Sequence, residues 1–176
     1  MGVTEGNTLY ALLELTSELA VYKFHAALQP LTHLTTVSAL KQSPTPSGMT
    51  AAEILIPKPS RSFPVAYIYI SNRDDPHPEG DTIAIFSLEK GEEHPELVTE
   101  VRTGLRHVRG MAFGGEDDRW LVVAGVGSAN KGSGSNRGSG GVQVYERVEG
   151  GKQLQRIAEL DSATGDTLKP TTALWL

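Results

Sequence analysis

The chain has 176 residues, 39% hydrophobic and 21% charged, which is enough apolar material for a sizeable core and excludes a wholly disordered protein. Its formal net charge of -5 argues against a nucleic-acid or anionic-membrane surface, since both require a basic face. There is no cysteine, which excludes disulfides, a thiol nucleophile and thiolate metal ligands.

Met1 to Asn7 carry no basic segment followed by an apolar core. No apolar run reaches the roughly 20 residues of a bilayer span, so a cytoplasmic protein is expected. The first apolar window, Leu9 to Phe24, is leucine-rich enough to read as a helix. Alignment with later segments divides it instead into two strands, Leu9–Leu13 and Leu19–Phe24, with a third at Leu34–Val37. Thr50–Ile56 is a strand of smaller residues, as expected where sheets crowd around a channel. It leads into Ala66–Ile70, Ile83–Leu88 and Leu97–Val101. The order then repeats as His107–Phe113, Trp120–Ala124, Val142–Tyr145 and Leu154–Ala158, and Pro170–Trp175 reads as the start of one more. β-branched and aromatic residues between short turn-rich spacers favour strands throughout.

The repeat recurs at about 60 residues, longer than the 40–50 of common propeller repeats because of its Pro- and Gly-rich loops. The expected fold is all-β, a partial β-propeller of about three four-stranded antiparallel blades. The units fall at about 1–46, 47–104 and 105–168, with 169–176 opening a further inner strand. Propellers close with about four to eight blades, so too few units are present for a ring. The chain is therefore expected to be a fragment, or to self-associate through open blade edges.

In a blade wound from inner to outer strand, two loop classes share one end of the molecule. One joins the second strand to the third and contains Asn72, Arg73, His77 and the Gly/Ser-rich tract from Gly125 to Gly141. The other joins an outer strand to the next inner one, running from Gln42 toward Glu53 and from Thr103 through His107 toward Arg109. A carboxylate, two guanidinium groups and an imidazole are thus expected on one face. Two guanidinium groups suit a phosphate or carboxylate, and a carboxylate or imidazole beside them can direct a water. The competing reading of each is structural: Glu53 as a backbone acceptor, Arg73 paired with Asp74 or Asp75, His107 as a solvated loop residue. Glu14, at the end of a second strand, faces the same end. No nucleophile elbow, phosphate-cradling glycine loop or metal-ligand spacing is present, so neither a cofactor nor a metal is expected.

Thr50-Ala51-Ala52-Glu53-Ile54, Tyr67-Ile68-Tyr69-Ile70-Ser71-Asn72-Arg73 and Thr82-Ile83-Ala84-Ile85-Phe86, in that order, resemble the seven-bladed propeller lactonases. The likeness continues through Val108-Arg109-Gly110-Met111-Ala112-Phe113 to Trp175. That family includes propeller-type 6-phosphogluconolactonases and fungal carboxy-cis,cis-muconate cyclases. The resemblance implies that Glu53, Arg73 and Arg109 stand near a central cleft. It also implies that Glu14 matches the acidic residue of an Asn-Glu motif, with Leu13 in place of the asparagine and Val108 in place of a proline. The implied activity is hydrolysis of a sugar lactone such as 6-phosphogluconolactone. Catalytic roles would fall to Glu53, Arg109 and His107, and anionic-substrate binding to Arg73, Arg109 and Glu14. The alternatives are a muconate cycloisomerase and a non-catalytic scaffold or inactive remnant. The expected partner is a small anionic lactone or carboxylate, with no nucleic acid and no membrane.

Overall fold

The computed structural model describes residues 7–25, 30–42, 44–127, 140–161 and 170–175. Every strand in it pairs with a sequence neighbour, in three antiparallel sheets. The first sheet is β1 (Thr8–Leu13), β2 (Glu18–Lys23) and β3 (Thr32–Ser38). The second is β4 (Thr50–Leu55), β5 (Tyr67–Arg73), β6 (Thr82–Ser87) and β7 (Glu96–Arg102). The third is β8 (Val108–Gly114), β9 (Trp120–Gly125), β10 (Gly141–Val148) and β11 (Gln153–Asp161). The leucine-rich window at Leu9 is two strands joined by a 3-10 turn at Glu14–Thr16, closed by Ser17 in a left-handed conformation at φ 51°. The first unit contributes three strands among the described residues, because no inner strand precedes β1 there.

The sheets stack face to face, and alternation of side chains along a strand divides the core in two. In β5, Ile68 and Ile70 turn toward the first sheet, where they meet Leu19, Ala39, Ala51, Ala84 and Phe86. Tyr67 and Tyr69 turn the other way, into a cluster with Ile83, Ile85, Val108, Met111, Leu121, Val123 and Tyr145. The middle sheet is therefore covered on both faces, and all of β6 is buried. This is why β5 and β6 read as continuous apolar runs, while β3 and β11, at the outer edges, carry mostly exposed residues.

A buried arginine ties the second and third sheets together. Arg147 in β10 is 3% exposed, and its guanidinium carbon stands 3.9 Å from the centre of the Phe63 ring. Its Nε donates to the Tyr69 hydroxyl at 3.0 Å, and Nη1 donates to the carbonyls of Asp117 and Asp118. Ring faces and carbonyl oxygens here supply the negative partner a buried cation requires.

The segment 170–175 forms no strand, where the sequence predicted the start of one. It nevertheless packs on inner strand β8: Trp175 donates from Nε1 to the Ala112 carbonyl at 3.1 Å and its ring lies 6.0 Å from that of Trp120. Gly110 makes this approach feasible. A Cβ there would come within 2.5 Å of the Thr171 carbonyl oxygen and 2.6 Å of the Thr172 Cα. Among the described residues no helix is long and apolar enough to cross a membrane.

Candidate functional site

The loops after β1, β3, β5 and β7 all emerge at one end of the stack, as the predicted winding requires. Their geometry depends on Asp81, which is fully buried just before β6. One carboxylate oxygen accepts the Asp75 amide at 3.1 Å and the other the Val108 amide at 3.0 Å. The Asp81 carbonyl accepts both the amide and the hydroxyl of Thr103 at 2.9 Å. One residue thus fixes the loop 74–81 to the start of inner strand β8. Burial outweighs the two amide bonds and holds the Asp81 carboxyl above its ordinary pKa.

Two further arginines hold the 74–81 loop in place. Arg102 binds the Asp75 carboxylate at 2.5 Å and the Gly80 carbonyl at 2.8 Å. Arg106, 8% exposed, donates to the Asp75 and His77 carbonyls. The loop packs so closely that only glycine fits at position 80, where φ is +84° and a Cβ would meet the Leu105 carbonyl oxygen at 2.6 Å. His77 is a turn residue: its amide bonds the Asp75 side chain, and its ring accepts the Glu79 amide.

On this frame sits a chain of charged side chains. Arg73, at the end of β5 with its side chain 12% exposed, pairs through Nη2 with Glu14 from the β1–β2 turn. Its Nη1 stands 3.4 Å from His107 Nε2, and His107 Nδ1 lies 2.9 Å from Asp74 Oδ1. Three of the predicted site residues, Glu14, Arg73 and His107, are therefore in direct contact although they come from three separate loops. The sequence pairing of Arg73 with Asp74 or Asp75 is corrected: Asp74 takes His107, Asp75 takes Arg102, and Arg73 takes Glu14.

Glu53 and Arg109 stand on the inner strands nearby. Among the described residues no hydrogen bond or ion pair joins either side chain to the Arg73 cluster. Both lie at register shifts, between Ala51 and Ile54 in β4 and between Val108 and Gly110 in β8. Such bulges re-aim side chains out of the regular pleat. The Glu53 amide donates to the Ser71 hydroxyl at 3.0 Å, a side-chain substitute for the ladder bond lost at the bulge. The Glu53 carboxyl is half-buried, and desolvation raises its pKa. Arg109 is exposed between two buried neighbours, Val108 and Gly110. The Gly/Ser-rich tract lies largely outside the described residues. Among those residues no group of His, Asp or Glu is arranged to hold a metal ion.

The sequence reading did not single out Asp81 or Arg106, and it named Asp74 only as a possible partner of Arg73. The Gly80-Asp81-Thr82 step before a buried strand was the available signal for Asp81, whereas the roles of Asp74 and Arg106 depend on a neighbouring loop.

Stacked antiparallel sheets wound from inner to outer strand, with charged residues gathered where the inner strands open, define a β-propeller with a candidate site at one mouth. The chain belongs to the seven-bladed β-propeller lactonases: that family's model matches residues 3–164. Among solved structures, it is similar to a protein of Bacteroides fragilis assigned as a 6-phosphogluconolactonase, at 20% identity and a TM-score of 0.66 over 95% of this chain. The periplasmic gluconolactonase of Pseudomonas aeruginosa matches at 18% identity and 0.64 over 90%. A Bacteroides uniformis protein, also assigned as a 6-phosphogluconolactonase, matches at 21% and 0.63 over 89%. The chain spans 38% of the length of each of these three structures. Comparison with curated proteins found no match.

Proposed function

We propose that the chain is the part of a propeller lactonase that binds and hydrolyses an anionic sugar lactone such as 6-phosphogluconolactone. The observation that carries this reading is the convergence of Arg73, His107 and Glu14 from three loops onto the end where the bulged inner strands present Glu53 and Arg109. In this reading Arg73 and Arg109 hold the phosphate and polarise the lactone carbonyl. A fixed guanidinium contributes most as the carbonyl oxygen takes up negative charge. Glu53 or His107 directs the attacking water, and Glu14 sets the pose of Arg73. A role in carbohydrate metabolism and a cytoplasmic location follow from a phosphorylated substrate. The Pseudomonas neighbour is by its name periplasmic, so fractionation of cells carrying the tagged chain tests that location. The same arginines would suit the carboxylates of a muconate in a cycloisomerase, but the three neighbours are named as lactonases.

The test is hydrolysis of 6-phosphogluconolactone followed against its spontaneous rate. Arg109→Ala is expected to lower kcat/KM by about 10²–10³-fold with an unchanged circular dichroism spectrum. Wild-type chain that neither exceeds the spontaneous rate nor binds 6-phosphogluconate would sink this reading and favour a scaffold or inactive remnant.

A further inference from the structure

We propose that Asp74 is a positioning residue that holds His107 as the base of this site. The role of the base rests on the lactone-hydrolysis reading above, whereas the Asp74–His107 pair rests on geometry alone.

Asp74 and His107 belong to different loops, and both are non-glycine residues in the left-handed region, at φ 61° and 57°. Such backbones persist only where the surroundings impose them, and they cluster at functional sites. Here the surroundings are visible. Asp75 and Val108, the residues next to this pair, are both anchored to the same Asp81 carboxylate. Holding the two strained residues side by side brings the imidazole Nδ1 within 2.9 and 3.2 Å of the two Asp74 oxygens.

The Asp74 carboxylate, an acceptor at 2.9 Å, fixes the proton on Nδ1, and the other ring nitrogen agrees with that tautomer. Arg73 Nη1 is a donor only, so Nε2 accepts from it, and the ring proton resides on Nδ1 and is donated to Asp74. At 3.4 Å the Arg73 contact is long, so a water or substrate can take its place at the Nε2 lone pair. Arg73 keeps its Glu14 partner in the meantime.

The step then balances without a further reactant. Nε2 removes a proton from water as the water oxygen bonds to the lactone carbonyl carbon. The ring C–O bond breaks, the departing alkoxide takes the proton back from Nε2, and the carboxylic acid formed loses its own proton to solvent. Asp74 keeps the ring oriented and offsets the positive charge while the imidazolium exists.

Asp74→Asn and Asp74→Gly both suit a left-handed position, so each removes the carboxylate while preserving the turn. We expect kcat to fall by about 10²-fold in both, with KM within about twofold. The 15N spectrum of the His107 ring is expected to show the Nδ1–H tautomer in the wild type and to lose it in Asp74→Gly, which leaves Nδ1 without an acceptor at that position. If Asp74→Gly keeps that tautomer, or keeps wild-type kcat, Asp74 serves only its turn and the proposal is overturned while the lactonase reading stands. A wild type without lactone turnover overturns the base role together with that reading, and the tautomer still decides whether Asp74 orients the ring.

Discussion

Two carboxyls at the mouth of the molecule are both driven toward the neutral form by burial, yet they do different things. Asp81 is ringed by amides that need an acceptor, so it serves as architecture. Desolvation is what raises the Glu53 carboxyl, and no amide bonds its oxygens among the described residues. A carboxyl raised in the folded state binds more protons there than in the unfolded chain. Its contribution to stability is present below the unfolded pKa and is lost as pH rises through the folded one. Glu53→Gln is therefore expected to be more stable than wild type at neutral pH, with the difference vanishing at and below the ordinary carboxylate range. Urea titrations at pH 7 and pH 4 check this, and a less stable variant at pH 7 would contradict it. At this scale Arg73 and Glu14 were legible in the sequence because the topology alone sends their loops to one end. Their actual partners were not. Which carboxylate meets which nitrogen donor is decided by contacts between residues 59 apart for Arg73–Glu14 and 33 apart for His107–Asp74, where no local pattern exists.

The strands themselves were legible nearly end to end, because alternation with β-branched and aromatic residues has only one structural reading when it repeats three times. The Leu9 window shows the value of the repeat, since by itself it carries helix-forming leucines. The C-terminal segment shows the limit. Pro170 to Trp175 has the composition of the inner strands but lacks ladder partners among the described residues, so it docks by close packing on β8 and by the Trp175 bond to the Ala112 carbonyl. Docking of that kind depends on the space Gly110 leaves. Gly110→Ala is expected to displace the segment and separate Trp175 from Trp120, while β8 to β11 stay paired. Since these are the two tryptophans of the chain, the change is read directly as a red-shifted emission with far-ultraviolet dichroism retained. Unchanged emission would place the contact elsewhere.

At the scale of the molecule, the three sheets account for 38% of the length of each similar structure, and the two outermost faces carry apolar side chains in the open. Leu9 and Leu13 on β1 are 43% and 37% exposed, and Ile157 and Leu160 on β11 are 50% and 56% exposed. Edges left unpaired among the described residues, with apolar faces, invite strand addition or stacking. We expect the 176-residue chain to self-associate, with sedimentation coefficients rising over the micromolar range and falling back in a Leu9→Lys, Leu13→Lys variant. A concentration-independent monomer would refute this. The inner-strand bulges carry a different consequence. They recur at the same register in two successive blades, and the residues they release pack into neither interblade core. Positions 52, 53 and 109 are thus places where a lineage can exchange one side chain for another without disturbing the stack. The chemistry at the mouth can diverge by single substitutions while the scaffold beneath it is inherited intact.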